Sequence, residues 1–188
     1  MLTNPFTRRG HPHMLVVGMT GVQLGERFAQ IGCVHGGRLG AVARKVGLSG
    51  RAVAIVPDDR SAARAQKGAA EAGALVEVEI APPTALPSDA DAFDLVVIDD
   101  TGGLLSAIGD ADRVATIREA RRILRPGGRA LVIASGPRSS LGALLARAPG
   151  TAPFDPTPVL EAGGFKAVRR LAEREGLVFV EGVKPQVQ

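Results

Sequence analysis

Two short, almost unbroken apolar runs, 52–56 within RAVAIV and 95–98 within FDLVVID, constrain the fold of this chain more than any other feature. A strand with one wet face alternates apolar and polar residues. One that is apolar at nearly every position is buried on both faces, as at the middle of a parallel sheet covered by helices.

Helix and strand signals alternate around these runs. Residues 14–24 predict a short packing helix and RFAQI (27–31) a first strand. From Gly36 onward, Leu39, Val42, Ala43 and Val46 recur at helical intervals, and Gly47 is placed to end that helix in the left-handed conformation. Pro57 stops the second strand, Asp58 or Asp59 can cap the alanine-rich helix that follows, and Gly73 closes it. ALVEVEI (74–80) predicts a third strand whose alternating glutamates suit an exposed edge, and APPTALPSDAD (81–91) a proline-stiffened loop. After FDLVVID and a Gly-Gly turn, Asp110 is expected to cap a helix with Val114, Ile117 and Leu124 on one side and Arg113, Arg118 and Arg122 in water. RPGG is expected to end it before a fifth strand, RALVIAS (129–135). PTPVLEAGGF then predicts a helix closed by glycine, and KAVRRLAE and GLVFVEGVK pair as a closing hairpin. Strands alternating with helices imply an α/β domain with a parallel sheet, to which the hairpin adds an antiparallel strand.

At 188 residues, without repeats or linkers, the chain suits one compact domain. Within it, residues 1–24 form a basic segment with the short packing helix, and 25–188 the main body. Trp and Tyr are absent, so base stacking would rest on six Phe, a poor platform for single-stranded nucleic acid. The positive excess is at the amino terminus, where residues 1–50 carry six Lys/Arg against one acid. Arg8, Arg9, His11 and His13 could attract nucleic-acid phosphates or an anionic surface, although a solvated tail is the simpler account.

Cys33 is the single cysteine, which excludes an intrachain disulfide and a cysteine-rich zinc site and fits a reducing cytoplasm. RRGHPHMLVVGMTGV superficially suggests a secretion signal, but it has no small-residue cleavage site and leads straight into a strand. Its apolar run is too short to span a bilayer.

The order of these pieces resembles the class I S-adenosylmethionine-dependent methyltransferase family. The resemblance is carried by GERFAQIGCVHGG at the first strand and its turn, GRAVAIV at the second strand, AFDLVVIDD at the fourth, ILRPGGRALVIAS at the fifth, and VLEAGGFKAV near the end. The family implies a Rossmann-like sheet of seven strands, mostly parallel with an antiparallel last strand, and helices on both faces. It also implies S-adenosylmethionine lying across the carboxyl ends of the first strands, where open α/β sheets generally bind their ligands. The residues matching its cofactor positions are Gln30, Gly32, Cys33, His35 and Gly36 in the turn region, Val56 and Pro57 after the second strand, Pro82 after the third, and Asp99 after the fourth.

Several of these depart from the family's pattern. Gln30 stands where the first strand usually ends in an acid, and Val34 replaces the middle glycine of Gly-x-Gly-x-Gly. Val56 occupies the place of the acid that bridges the ribose hydroxyls, with Asp58 two residues later as a substitute or a helix cap. Pro82 stands where many members carry an Asp beside adenine. Cofactor binding is therefore expected to be weak, resting on backbone and apolar contacts, or lost.

Methyl transfer from a sulfonium is a direct displacement that alignment can drive, so a missing general base does not exclude activity. Asp99 and Asp100 could serve as base, ammonium partner or metal ligands, or could form the turn before TGG. No metal is expected, since ASGPRSS after the fifth strand adds no acidic ligand. Cys33 reads as a packing residue and His35 as a possible ligand contact, while Arg138, Ser139 and Ser140 could line a substrate entrance. Two functions are expected: a methyltransferase for a small acceptor, or a non-catalytic relative serving as a binding or assembly module. A nicotinamide-dependent dehydrogenase is disfavoured because Gly32, Gly36 and Gly37 miss the Gly-x-Gly-x-x-Gly spacing.

Overall fold

A computed structural model describes residues 13–136 and 154–186. Arg138, Ser139, Ser140, Arg8, Arg9 and His11 lie outside the described residues. The elements follow the order α1 (Met14–Thr20), β1 (Arg27–Ile31), α2 (Gly36–Val46), β2 (Arg51–Val56), α3 (Asp59–Ala72), β3 (Glu77–Ile80), β4 (Phe93–Asp99), α4 (Asp110–Ile123), β5 (Leu124–Ser135), α5 (Thr157–Ala162), β6 (Lys166–Arg174) and β7 (Leu177–Val183). They build one seven-stranded sheet in the order β3-β2-β1-β4-β5-β7-β6. Its first five strands are parallel, and β7 runs antiparallel between β5 and β6.

The apolar runs behave as their composition requires. In β2, Ala52, Ala54 and Val56 face the core under α1, α2 and α3, while Val53 and Ile55 face the opposite core under α4 and α5. A polar residue at any of these five positions would be cut off from water on either face. β3 is the exposed edge strand that its glutamates suggest, and Glu77 pairs with Arg51 across to β2 at 2.7 Å.

Helices α2 and α3 pack unusually close because both carry glycine at the crossing. A Cβ on Gly36 would collide with the Arg64 carbonyl, and a Cβ on Gly68 with the backbone of Gly36. The spacing of the two helices therefore rests on absent side chains, and it sets the width of the space above β1 and β2.

Four local expectations change. Gly47 has positive φ (72°) but extended ψ (−174°), so the chain leaves α2 directly toward β2 instead of closing a left-handed turn. Gly109, not Asp110, is the N-cap of α4; Asp110 is its first residue and pairs with Arg113 at 2.7 Å. RPGG is not a separate terminator, since α4 ends at Ile123 and β5 runs from Leu124 through it, with a register shift against β4. Finally, only Arg118 of the three arginines is exposed. Arg113 donates to the Leu105 and Ser106 carbonyls and Arg122 to those of Leu86 and Ser88, pinning the loops on either side of β4.

Candidate functional site

A cleft of about 410 Å³ opens at the carboxyl ends of β1, β2 and β4, within the size range of small-molecule sites. One wall is the β1 turn, Gly32 to Val34; a second is Pro57 with Asp58, Arg60 and Arg64 from the start of α3; the third is Asp99 with the 102–104 loop.

The turn is fixed from below by side chains. Gly32 has φ +77° and donates its N–H to the Ile55 carbonyl at 2.8 Å. A Cβ there would press on Leu104 and on the Asp99 carbonyl, so this glycine answers both conformation and space. Val34 is not among the residues with positive φ. The turn accommodates this β-branched residue without left-handed strain, and its side chain packs where a Cβ on Gly102 would sit.

Gln30 is buried at the end of β1, and its side-chain N–H donates to the Gly32 carbonyl at 2.9 Å. A carboxylate has no donor for this bond and would face the carbonyl with like charge. The departure from an acid at this position thus has an internal use.

Asp99 and Asp100 are both buried and both committed to backbone groups. The two Asp99 oxygens accept from the Val34 N–H (2.9 Å) and from the Thr101 N–H and hydroxyl (3.2 and 2.5 Å). One Asp100 oxygen accepts from the N–H groups of Leu105 (2.6 Å) and Ser106 (3.0 Å). Burial, helped by the charge of Asp99, holds Asp100 above the ordinary carboxylate value despite these amides. The pair shapes the turn after β4. Among the described residues no group of three or more His, Cys, Asp or Glu could hold a metal.

Other expected site residues fall away from the cleft. Val56 is fully buried in the core beneath α2 and α3, so its side chain faces helices where the resemblance implies a ribose. Gly36 faces the α3 backbone. Pro82 is exposed at the start of the β3–β4 loop and is not part of the cleft wall. His35 is exposed outside the cleft lining. Asp58 accepts the Ser61 N–H at 2.7 Å as the cap of α3, which pulls its carboxyl below the usual value. Cys33 does line the cleft, but burial first, and the Asp99 charge second, push its thiol up to about 11. It is a packing residue rather than a nucleophile.

Sequence reasoning missed Arg64. Its Nε donates to the Cys33 carbonyl at 3.0 Å and its Nη2 to the Ser61 hydroxyl at 2.7 Å, so a guanidinium stands between the β1 turn and α3. The residue occupies an ordinary solvent-facing slot in the helical pattern of RSAARAQKG, and only the close packing of α2 on α3 brings it into the cleft.

Residues 28–128, just over half of the chain, match the family described as methyltransferase domain. A 37.1 kDa protein of unassigned function from a transposon of Streptomyces fradiae is 34% identical over 105 residues, covering 56% of this chain and 29% of that protein. The chain thus spans under a third of the length of this relative. In fold, the chain is similar to a SAM-dependent methyltransferase of Aquifex aeolicus, with TM-score 0.70, 16% identity and coverage of 92% of this chain and 89% of that one. It is also similar to the S-adenosylmethionine-dependent methyltransferase SibL, with TM-score 0.67, 23% identity and coverage of 93% and 55%. Among the described residues no helix is long and apolar enough to cross a membrane.

Proposed function

The chain belongs to the methyltransferase domain family, whose cofactor is S-adenosylmethionine, and from that premise we propose that it transfers a methyl group to a small acceptor at the cleft above β1, β2 and β4. The observation that carries this reading is the cleft itself. It lies at the carboxyl ends of the parallel strands and is bounded by a turn whose first glycine has the positive φ of a ligand-facing loop.

The lining suits part of the cofactor. Backbone of the β1 turn, with Pro57 and Leu104, would bury the adenosine, and apolar contact contributes roughly 25 cal/mol per Å² removed from water. Of the two carboxylates in the described cleft lining, Asp99 gives both oxygens to the turn and Asp58 gives one to the cap of α3. When bound, the cofactor supplies an electrophilic methyl on a sulfonium. The residues here would position that methyl and exclude water, and an acceptor that is already a free nucleophile needs no base from the chain.

A second reading, a cofactor-binding module without turnover, is favoured by one observation. Asp99, the acid that lines the cleft at the end of β4, has both oxygens engaged by Val34 and Thr101, so it is not poised as a catalytic base. Calorimetric titration with S-adenosylmethionine and S-adenosylhomocysteine tests both. Binding with methyl transfer to a panel of small nucleophiles supports the first reading, binding without transfer the second, and no heat at millimolar ligand with folded protein removes both.

A further inference from the structure

The start of α3 brings one carboxylate oxygen and one guanidinium edge, both without internal partners, to the same wall of the cleft. Asp58, exposed at the mouth, gives one oxygen to the Ser61 N–H at 2.7 Å, and among the described residues the other accepts no hydrogen bond. Arg64, half-buried, donates from Nε to the Cys33 carbonyl at 3.0 Å and from Nη2 to the Ser61 hydroxyl at 2.7 Å. Its Nη1 has no partner among the same residues. Ser61, itself buried, therefore holds both groups: its amide fixes Asp58 and its hydroxyl fixes Arg64.

The two charges complement each other without cancelling. The Ser61 N–H first, with the Arg64 charge among the smaller causes, holds the Asp58 carboxyl below its usual value, so it is ionised at neutral pH. No direct ion pair joins Asp58 to Arg64 among the described residues, and each keeps hydrogen-bonding capacity for a third group. A carboxylate only accepts and a guanidinium only donates, whereas each hydroxyl of a vicinal diol can do both. The wall thus offers a diol one partner of each kind. In open α/β nucleotide sites a single acid commonly serves the ribose hydroxyl. Here the position at the end of β2 is Val56, sequestered in the core.

We propose that recognition of the free ribose diol in this cleft is divided between two residues. The second Asp58 oxygen accepts a hydrogen bond from one hydroxyl, Arg64 Nη1 donates to the oxygen of the other, and Ser61 is the positioning residue for both. This rests on the proposed function, which reads the cleft as an adenosine site. A single bridging acid would feel the loss of either hydroxyl; in a divided site each hydroxyl answers to a different side chain.

The test is calorimetry on the full chain with four probes: adenosine, 2′-deoxyadenosine, 3′-deoxyadenosine and S-adenosylhomocysteine, with a melting curve for each variant. Adenosine is expected to bind about tenfold tighter than either deoxynucleoside, as hydrogen bonds to charged groups allow. Asp58→Ser keeps an N-cap oxygen for the Ser61 amide and removes the second one. It should weaken adenosine and S-adenosylhomocysteine about tenfold and abolish the penalty for one deoxynucleoside while keeping the other. Arg64→Met should abolish the opposite penalty. Ser61→Ala, which lacks the hydroxyl that holds Arg64, should reduce the Arg64-dependent penalty alone, an effect that a general loosening of α3 would not produce. S-adenosylhomocysteine binding with no penalty for either deoxynucleoside, or with both penalties unchanged in Asp58→Ser, would overturn the inference and leave the proposed function standing. Loss of the same penalty in Asp58→Ser and Arg64→Met would overturn the division. Penalties that separate between these residues while S-adenosylhomocysteine does not bind would uphold the inference and remove the methyltransferase reading. No binding of any probe to folded protein would remove both.

Discussion

Asp99 at the end of β4 accepts the backbone N–H of Val34 at 2.9 Å, tying together two turns that are 65 residues apart. That bond makes the wall between β1 and β4 a single rigid unit. Both Asp99 oxygens accept hydrogen bonds, so Asp99→Asn must turn an N–H₂ toward a donor. It should cost about 1–3 kcal/mol in denaturant unfolding. Asp100 uses one oxygen as acceptor, which an amide can supply, so Asp100→Asn should stay within about 1 kcal/mol of the parent.

Because burial raises the Asp100 carboxyl in the folded state, the folded chain binds a proton there more readily than the unfolded chain. The sign follows from linkage: between the ordinary carboxylate value and the raised one, stability contributed by this group falls as pH rises. Asp100→Asn should flatten that slope in mildly acid solution, which unfolding midpoints at a series of pH values would show. An unchanged slope would mean that the Asp100 environment is not the buried one described.

The crossing of α2 and α3 has no room for a side chain. Gly68→Ala should destabilise the fold by about 3 kcal/mol or more, because the new Cβ meets the Gly36 backbone and cannot be relieved by rotating a side chain. Thermal unfolding measures it. The neighbouring helix glycine Gly73 has open space but φ +63°, so Gly73→Ala should cost less, about 1 kcal/mol, from conformation alone.

Replacing Val56 by the family's acid is expected to fail as a repair. Val56→Asp buries a carboxylate in the core under α2 and α3 and should destabilise by at least about 3 kcal/mol without improving ligand affinity. Val34→Gly should instead widen the cleft and tighten S-adenosylhomocysteine several-fold, since Val34 lines it. Parallel melting and calorimetry of the two variants separates these outcomes.

Cys33 should be nearly inert to alkylation. With its thiol at about 11 against an ordinary value of 9.0, the thiolate fraction near pH 8 is lowered about a hundredfold, before burial slows access further. Iodoacetamide labelling should become fast only above that pH or on unfolding; rapid labelling at pH 8 would contradict the packing described here.

Much of the architecture is legible in the one-dimensional pattern. RFAQI and RAVAIV coincide with β1 and β2, FDLVVID coincides with β4, and Asp58 and Gly73 bound α3. These depend on local chemistry: apolar runs, a carboxylate one residue before a helix, a glycine where φ turns positive. Expectations failed where a neighbour in space decided the outcome. Arg113 and Arg122 occupy the polar face of α4, yet they reach back to loop carbonyls that no periodicity indicates.

The candidate site divides along the same line. The resemblance of the sequence to the family, with the general rule for open α/β sheets, indicates a cleft at the carboxyl ends of the first strands. The sequence also determines which acids are missing, at Gln30 and Val56. What remains able to hold a ligand was decided only by tertiary structure, since a polar group is available only if nothing nearby has already satisfied it. Gln30 spends its amide on Gly32, Asp99 spends its carboxylate on Val34 and Thr101, and the glycine-to-glycine contact of α2 with α3 carries Arg64 into the space between them.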